Sequence, residues 1–406
     1  MTYVRKRLKM RKILCILLVF GINLAHAYSM MQKEPIRSYL CSFCTNLSHD
    51  KLTAHWEGLI TPGKPLNKLK NESRKYQITT TYKQLRSGVS FSTEAEGAVI
   101  RIMPAKPQKV IKKALFRVKN KLGMNLSLKD ASNLYTENAA LNETSFADNT
   151  LILAELNNGL GKGEFTLLSD ADPTIKDNTL YNINIFDRNS MIQLGLETEK
   201  AEYFYGDQLK VRIQFHDEKQ SYPLENLLVT LFDANGKKVP LTISPSDSNT
   251  MEATTILDAS EISRGGIWYL VAQADAKVNK STLRRRGHIS FSYAIPSATI
   301  REIKQIDPNE LAFQAEVDVA TESRYALVAV LYGQNEEGQM TAIETTQTAE
   351  WLHQGENRVD FFFSAKLKTR YKEPFYVGYL RLIDYGQLKL VFSHDTPIEL
   401  SQLAAS

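Results

Sequence analysis

Over much of this chain, apolar residues fall at every second position. Tyr181-Asn182-Ile183-Asn184-Ile185-Phe186 is the clearest case, and Leu209-Lys210-Val211-Arg212-Ile213-Gln214-Phe215 repeats it. A period of two puts one face of an extended strand in a core and the other in water, so these runs predict half-buried β-strands. Residues 77–82, 89–93, 97–102, 165–168 and 192–196 join them, rich in β-branched side chains and separated by Asp, Asn, Pro and Ser clusters.

From Tyr203 a new series of short strands begins, at residues 209–215, 226–232, 238–243, 265–272 and 288–293, with Asp233-Ala234-Asn235-Gly236 as a turn. After Pro296 the cadence repeats at 311–319, 324–332, 357–363, 375–383 and 388–392. Spacing of this kind predicts β-sandwiches. One segment departs from it: Ser127 with Asp130 three positions on, and Leu128, Ala131, Leu134 and Tyr135 at helical spacing, predict a helix over 125–141. Residues 28–75 are turn-rich around Thr61-Pro62-Gly63-Lys64-Pro65, and little regular structure is expected there. The reading is a mainly β, multidomain chain. A basic β-rich domain with one helix at 28–195 is followed by an immunoglobulin-like β-sandwich at 196–296 and a second sandwich at 297–406.

The amino end obeys a different rule. Arg5, Lys6, Arg7, Lys9, Arg11 and Lys12 precede any acid and lead into the apolar run 13–24, which meets Ala25-His26-Ala27. That order is a secretory signal peptide, residues 1–27, cut after Ala27. About twelve apolar residues span only ~18 Å, short of a ~30 Å hydrocarbon core, so a permanent transmembrane anchor is not expected. Cys15 follows Lys12-Ile13-Leu14, where a lipobox needs a small residue. The mature protein is therefore expected outside the cytoplasm, periplasmic or secreted, with no transmembrane span after cleavage.

Removing the leader changes the charge. The whole chain is +5, but without those six basic residues 44 Lys+Arg stand against 45 Asp+Glu, a net of −1. The remaining charge is polarised: residues 51–130 hold 17 Lys/Arg and 5 Asp/Glu, and residues 131–406 hold 25 and 38. Two basic features stand out. Lys106, Lys109, Lys112, Lys113, Arg117, Lys119 and Lys121 crowd one stretch, expected on one exposed face, and Arg284-Arg285-Arg286 sits just before a strand. Both suit an anionic partner, and outside the cell that means a surface glycan or lipid, not nucleic acid.

Candidate chemistry is sparse. Cys41-Ser42-Phe43-Cys44 lacks the βαβ context of a redox pair, and in an oxidising compartment it is expected as a local disulfide. Only as thiolates could the two join His49 and His55 in a zinc set. Asp170-Ala171-Asp172 lacks an EF-hand loop, and Gly159-Leu160-Gly161-Lys162-Gly163 lacks the phosphate-loop spacing, so both read as turns. No HExxH, nucleophile elbow or P-loop is present, and His216, His288, His353 and His394 are scattered. No catalytic residue, cofactor or metal is expected.

Tyr205-Gly206-Asp207, Leu227-Leu228-Val229-Thr230-Leu231, the turn at 233–236 and Gly266-Ile267-Trp268-Tyr269-Leu270 resemble the immunoglobulin-like modules of bacterial surface and macroglobulin-type proteins. That resemblance implies a buried Trp268 and no catalytic residue. The leader, Gly97-Ala98-Val99-Ile100-Arg101-Ile102, the Gly-Asp corner and Ala349-Glu350-Trp351-Leu352 before Gly355 resemble an uncharacterised family of secreted gammaproteobacterial, Legionella-type proteins with carboxy-terminal immunoglobulin-like domains. The family implies export and fold, not an activity.

The functional expectation is an exported, non-catalytic binding or structural protein contacting an anionic envelope or host-surface partner. The competing class is an extracellular hydrolase with its active site in 28–160 and accessory immunoglobulin-like domains. A third, envelope assembly by strand addition, rests on the abundance of β edges.

Overall fold

The computed structural model describes residues 27–30, 35–60, 62, 68–106, 115–137, 152–278, 281–307 and 309–403. Residues 1–26 of the expected signal peptide lie outside the described residues. The protein is mainly β and multidomain, three sandwiches in a row, each closed over its own apolar core. No helix among the described residues is long and apolar enough to cross a membrane.

In the first sandwich, strands Lys75–Thr81, Leu180–Phe186, Val99–Pro104, Ile152–Leu156 and Ser132–Glu137 form a five-stranded antiparallel sheet in that order. It faces a four-stranded sheet of Val89–Thr93, Gly163–Ser169, Phe116–Asn120 and Asn125–Ser127. The alternation read from the sequence holds residue by residue: Ile100, Ile102, Ile183 and Ile185 point into the core while Arg101, Asn182 and Asn184 point out. Burying such side chains contributes about 1.5–3 kcal/mol each.

The expected helix over 125–141 is not formed. Asn125–Ser127 and Ser132–Glu137 are strands, and the intervening residues make one turn. The pair that suggested a cap does form, Ser127 Oγ donating to Asp130 Oδ2 at 2.7 Å while Asp130 N donates to Ser127 Oγ, but it closes only that turn. Leu128 and Ala131 plug the core, and pairing with Ile152–Leu156 overrides the helical spacing beyond them. Residues 138–141 lie outside the described residues. A short helix instead spans Tyr82–Ser87, started by a capping box between Thr81 and Gln84.

The central sandwich packs Thr242–Pro245, Thr250–Ile256, Gln208–His216, Gln193–Thr198 and Leu69–Ser73 against Glu202–Phe204, Ser281–Ala294, Trp268–Val278, Leu224–Phe232 and Lys238–Val239. Trp268 is buried against Tyr293, ring centroids 4.8 Å apart. In the third sandwich, Tyr28–Ser29, Ala298–Asp307, Ala312–Val319 and Gly355–Phe362 face Leu52–Ile60, Met340–Leu352, Ser323–Gln334, Lys372–Asp384 and Lys389–His394.

Residues 28–75 hold more regular structure than the turn residues implied, although 31–34, 61 and 63–67, most of that turn included, lie outside the described residues. Tyr28–Ser29 and Leu52–Ile60 complete the third sandwich, and Leu69–Ser73 extends the central one. Their partners are distant in sequence, so no local pattern announces them.

Two buried aspartates join the sandwiches. Between the first and central ones, Arg285 is fully buried and its Nη2 donates to Asp187 Oδ2 at 2.7 Å and Ser190 Oγ at 3.1 Å. Asp187 also accepts from the backbone N–H of Glu94 and Ala95. Between the central and third ones, the equally buried Asp384 accepts from Tyr39 Oη (2.8 Å), Ser297 Oγ (2.6 Å), Ser323 Oγ (2.8 Å), Gly386 N (2.8 Å) and Gln387 Nε2 (3.0 Å). Every one of those donors is uncharged. The Cys41–Cys44 disulfide expected from the sequence is formed, and it lies over Gly386, where an added Cβ would stand 2.7–2.8 Å from both sulfurs.

Candidate functional site: a basic cleft between two sandwiches

Where the first and central sandwiches meet, the outer faces of two sheets enclose a cleft of about 530 Å³. Small-molecule sites commonly measure about 300–1,000 Å³. One wall is the sheet of Lys75–Thr81, Leu180–Phe186 and Val99–Pro104, whose register sets Gln77, Asn184 and Arg101 side by side. The other wall comes from Trp268–Val278 and Ser281–Ala294, where Val271 stands opposite His288. Arg286 joins the walls, its Nη1 donating to Gln77 Oε1 at 3.2 Å.

Lys75, Arg101 and Arg286 line this cleft together with His288, and no Asp or Glu is among its described lining residues. Of the carboxylates close by, Asp187 holds Arg285 and Asp275 holds Arg284. Low-dielectric walls and like charges concentrate a positive potential in such a hollow. Tyr76 on the same wall turns inward, its hydroxyl donating to Ser92 O, and burial pushes that phenol up to about 12.

The residues marked from the sequence scatter. Arg284-Arg285-Arg286 does not precede a strand but lies within Ser281–Ala294, so period two sends its members to opposite faces. Arg284 makes a bidentate pair with Asp275, at 2.7 and 2.9 Å. Arg285 is fully buried and unavailable to any external partner, which corrects its reading as a contact residue. Only Arg286 of the three reaches the cleft. Lys106, Lys119 and Lys121 are exposed and Arg117 is half-buried, its Nε donating to Asn125 Oδ1, while Lys109, Lys112 and Lys113 lie outside the described residues.

Lys75, Arg101 and Asn184 were missed because their meeting depends on strand register. The usable signal is their shared polar phase: 75, 77 and 79, 182 and 184, and 101 and 103 all alternate with core positions. The remaining chemistry is dispersed. His49 stacks on Trp351 and His55 lies 3.4 Å from Glu344, so with the cysteines oxidised no zinc set forms. No group of His, Cys, Asp or Glu that could hold a metal occurs among the described residues.

Family models for domain of unknown function DUF4785 match in three consecutive pieces: its N-terminal domain at residues 43–187, its central domain at 190–294 and its C-terminal domain at 297–401. The crystal structure of a DUF4785 family protein from Legionella pneumophila is 32% identical over 93% of this chain and 100% of its own, with a TM-score of 0.77. Salmonella alpha-2-macroglobulin (8% identity, 81% and 23% covered, TM-score 0.22) and the chicken interferon gamma receptor alpha chain (10%, 47% and 91%, 0.21) are too distant to inform the site. No curated protein gives a significant sequence match. The Legionella-type resemblance read from the sequence is thereby shown, and the chain belongs to the DUF4785 family.

Proposed function

We propose that this is an exported, non-catalytic binding protein that engages an anionic partner through the cleft between its first and central sandwiches. The carrying observation is the lining: Lys75, Arg101, Arg286 and His288, with no Asp or Glu among its described residues. Export is supported by the leader pattern and by a disulfide of the kind that persists in oxidising compartments. Cell fractionation tests it, and recovery of the full-length chain in the cytoplasm would refute it.

Heparin chromatography tests the binding surface. At about 50 mM salt, where the Debye length exceeds about 10 Å, the wild type should be retained and the triple variant K75A/R101A/R286A should flow through. K106A/K119A/K121A, altering the exposed positions of the sequence-marked stretch, should still be retained. The opposite pattern would move the site to that stretch.

A further inference from the structure

The walls of the cleft carry more than charge. On the first sandwich, Gln77 is held at the cleft by Asn182 beyond it, Gln77 Nε2 donating to Asn182 Oδ1 at 3.0 Å. Asn184 stands beside Gln77, its Nδ2 lying 3.5 Å from Met103 Sδ, a weak acceptor that a hydroxyl outcompetes. Across the cleft, half-buried Tyr269 is stacked on Phe232 with ring centroids 4.9 Å apart, which holds its ring in place.

Cations alone suffice for phosphate or an acidic peptide. A peptide adding as a strand would pair with the backbone edge of Lys75–Thr81, the last strand of its sheet, and leave the side-chain amides of Gln77 and Asn184 unused. The amides of Gln77 and Asn184 on one wall and the Tyr269 ring on the other serve a ligand with many hydroxyls and an apolar C–H face. We propose that the cleft binds an acidic oligosaccharide. Its carboxylate or sulfate groups pair with Lys75 and Arg286, its hydroxyls exchange hydrogen bonds with Gln77 and Asn184, and one sugar face lies on Tyr269. This rests on the anionic-partner reading above and names the ligand class for it.

Calorimetric titration of the full chain with a heparin hexasaccharide and with trigalacturonate, against maltotriose, hexaglutamate and inorganic phosphate, tests it. Both acidic sugars should bind more tightly than every other probe. Asn184→Ala and Tyr269→Ala should each weaken them roughly five- to tenfold, Tyr269→Phe should not, and binding of hexaglutamate should be unmoved by all three. Thermal unfolding confirms that each variant is folded. Hexaglutamate binding as tightly as the sugars, with Asn184→Ala and Tyr269→Ala silent, would overturn the saccharide assignment and leave the anionic reading standing. Equal binding of maltotriose, or unchanged affinity for every probe in the K75A/R286A double variant, would overturn both.

Discussion

The two joints between sandwiches solve one problem in different ways. Each buries an aspartate completely, a costly act unless the charge is paired or richly hydrogen-bonded. At the first joint Asp187 meets a guanidinium, so the charges cancel in place. At the second, Asp384 collects five hydrogen bonds from neutral donors supplied by three separate stretches of chain, at Tyr39, at Ser297 and at 323–387. The first joint rests on one charged partner beside two backbone N–H groups, whereas the second spreads its dependence over five neutral donors.

That difference orders the expected losses. Arg285→Met leaves Asp187 buried without its counter-charge and should cost about 3–5 kcal/mol in urea unfolding, with much of it restored by adding Asp187→Leu. If the single variant loses less than about 1 kcal/mol, the carboxylate is not held as described. Asp384→Asn keeps the shape but turns a donor toward the hydroxyls around it, and about 2–3 kcal/mol should be lost. Removing the disulfide that lies over Gly386 should cost about 2 kcal/mol by the loop-entropy relation for so short a loop. Reductant should lower the melting temperature of the wild type and leave a C41S/C44S variant unmoved.

The smallest effect is the most selective. Tyr39→Phe deletes one hydrogen bond, about 1 kcal/mol at neutral pH. Burial, and then the charge of Asp384, push the Tyr39 phenol above its ordinary 10, so the folded state retains a proton that the unfolded chain gives up. Stability contributed by this group is whole below pH 10 and declines as pH rises above it. The wild type should therefore lose stability faster than Tyr39→Phe between pH 10 and 12, and parallel curves would show that the phenol does not face the carboxylate.

Legibility followed the nature of the inward side chains. Leu180–Phe186 and Gln208–His216 were readable because aliphatic residues fill their core positions. Met340–Leu352 escaped notice because its buried face includes Glu344, Thr346 and Thr348. Burial pushes the Glu344 carboxyl above its usual range. The Arg284-Arg285-Arg286 run was visible as charge, but which members faced water depended on its being a strand. The cleft needed more still, since Gln77, Asn184 and Arg101 become neighbours only through pairing between strands far apart in the chain.

The reversed path of the amino-terminal segment bears on how the molecule is made. Thr53 touches Thr348 across 295 positions, so the third sandwich cannot close until almost the whole chain is present. Loop closure over such a span is entropically unfavourable, and folds dominated by distant pairings form slowly. The residues synthesised first are among the last to find their sheet, and the assembling protein carries an open edge of Met340–Leu352 until they arrive.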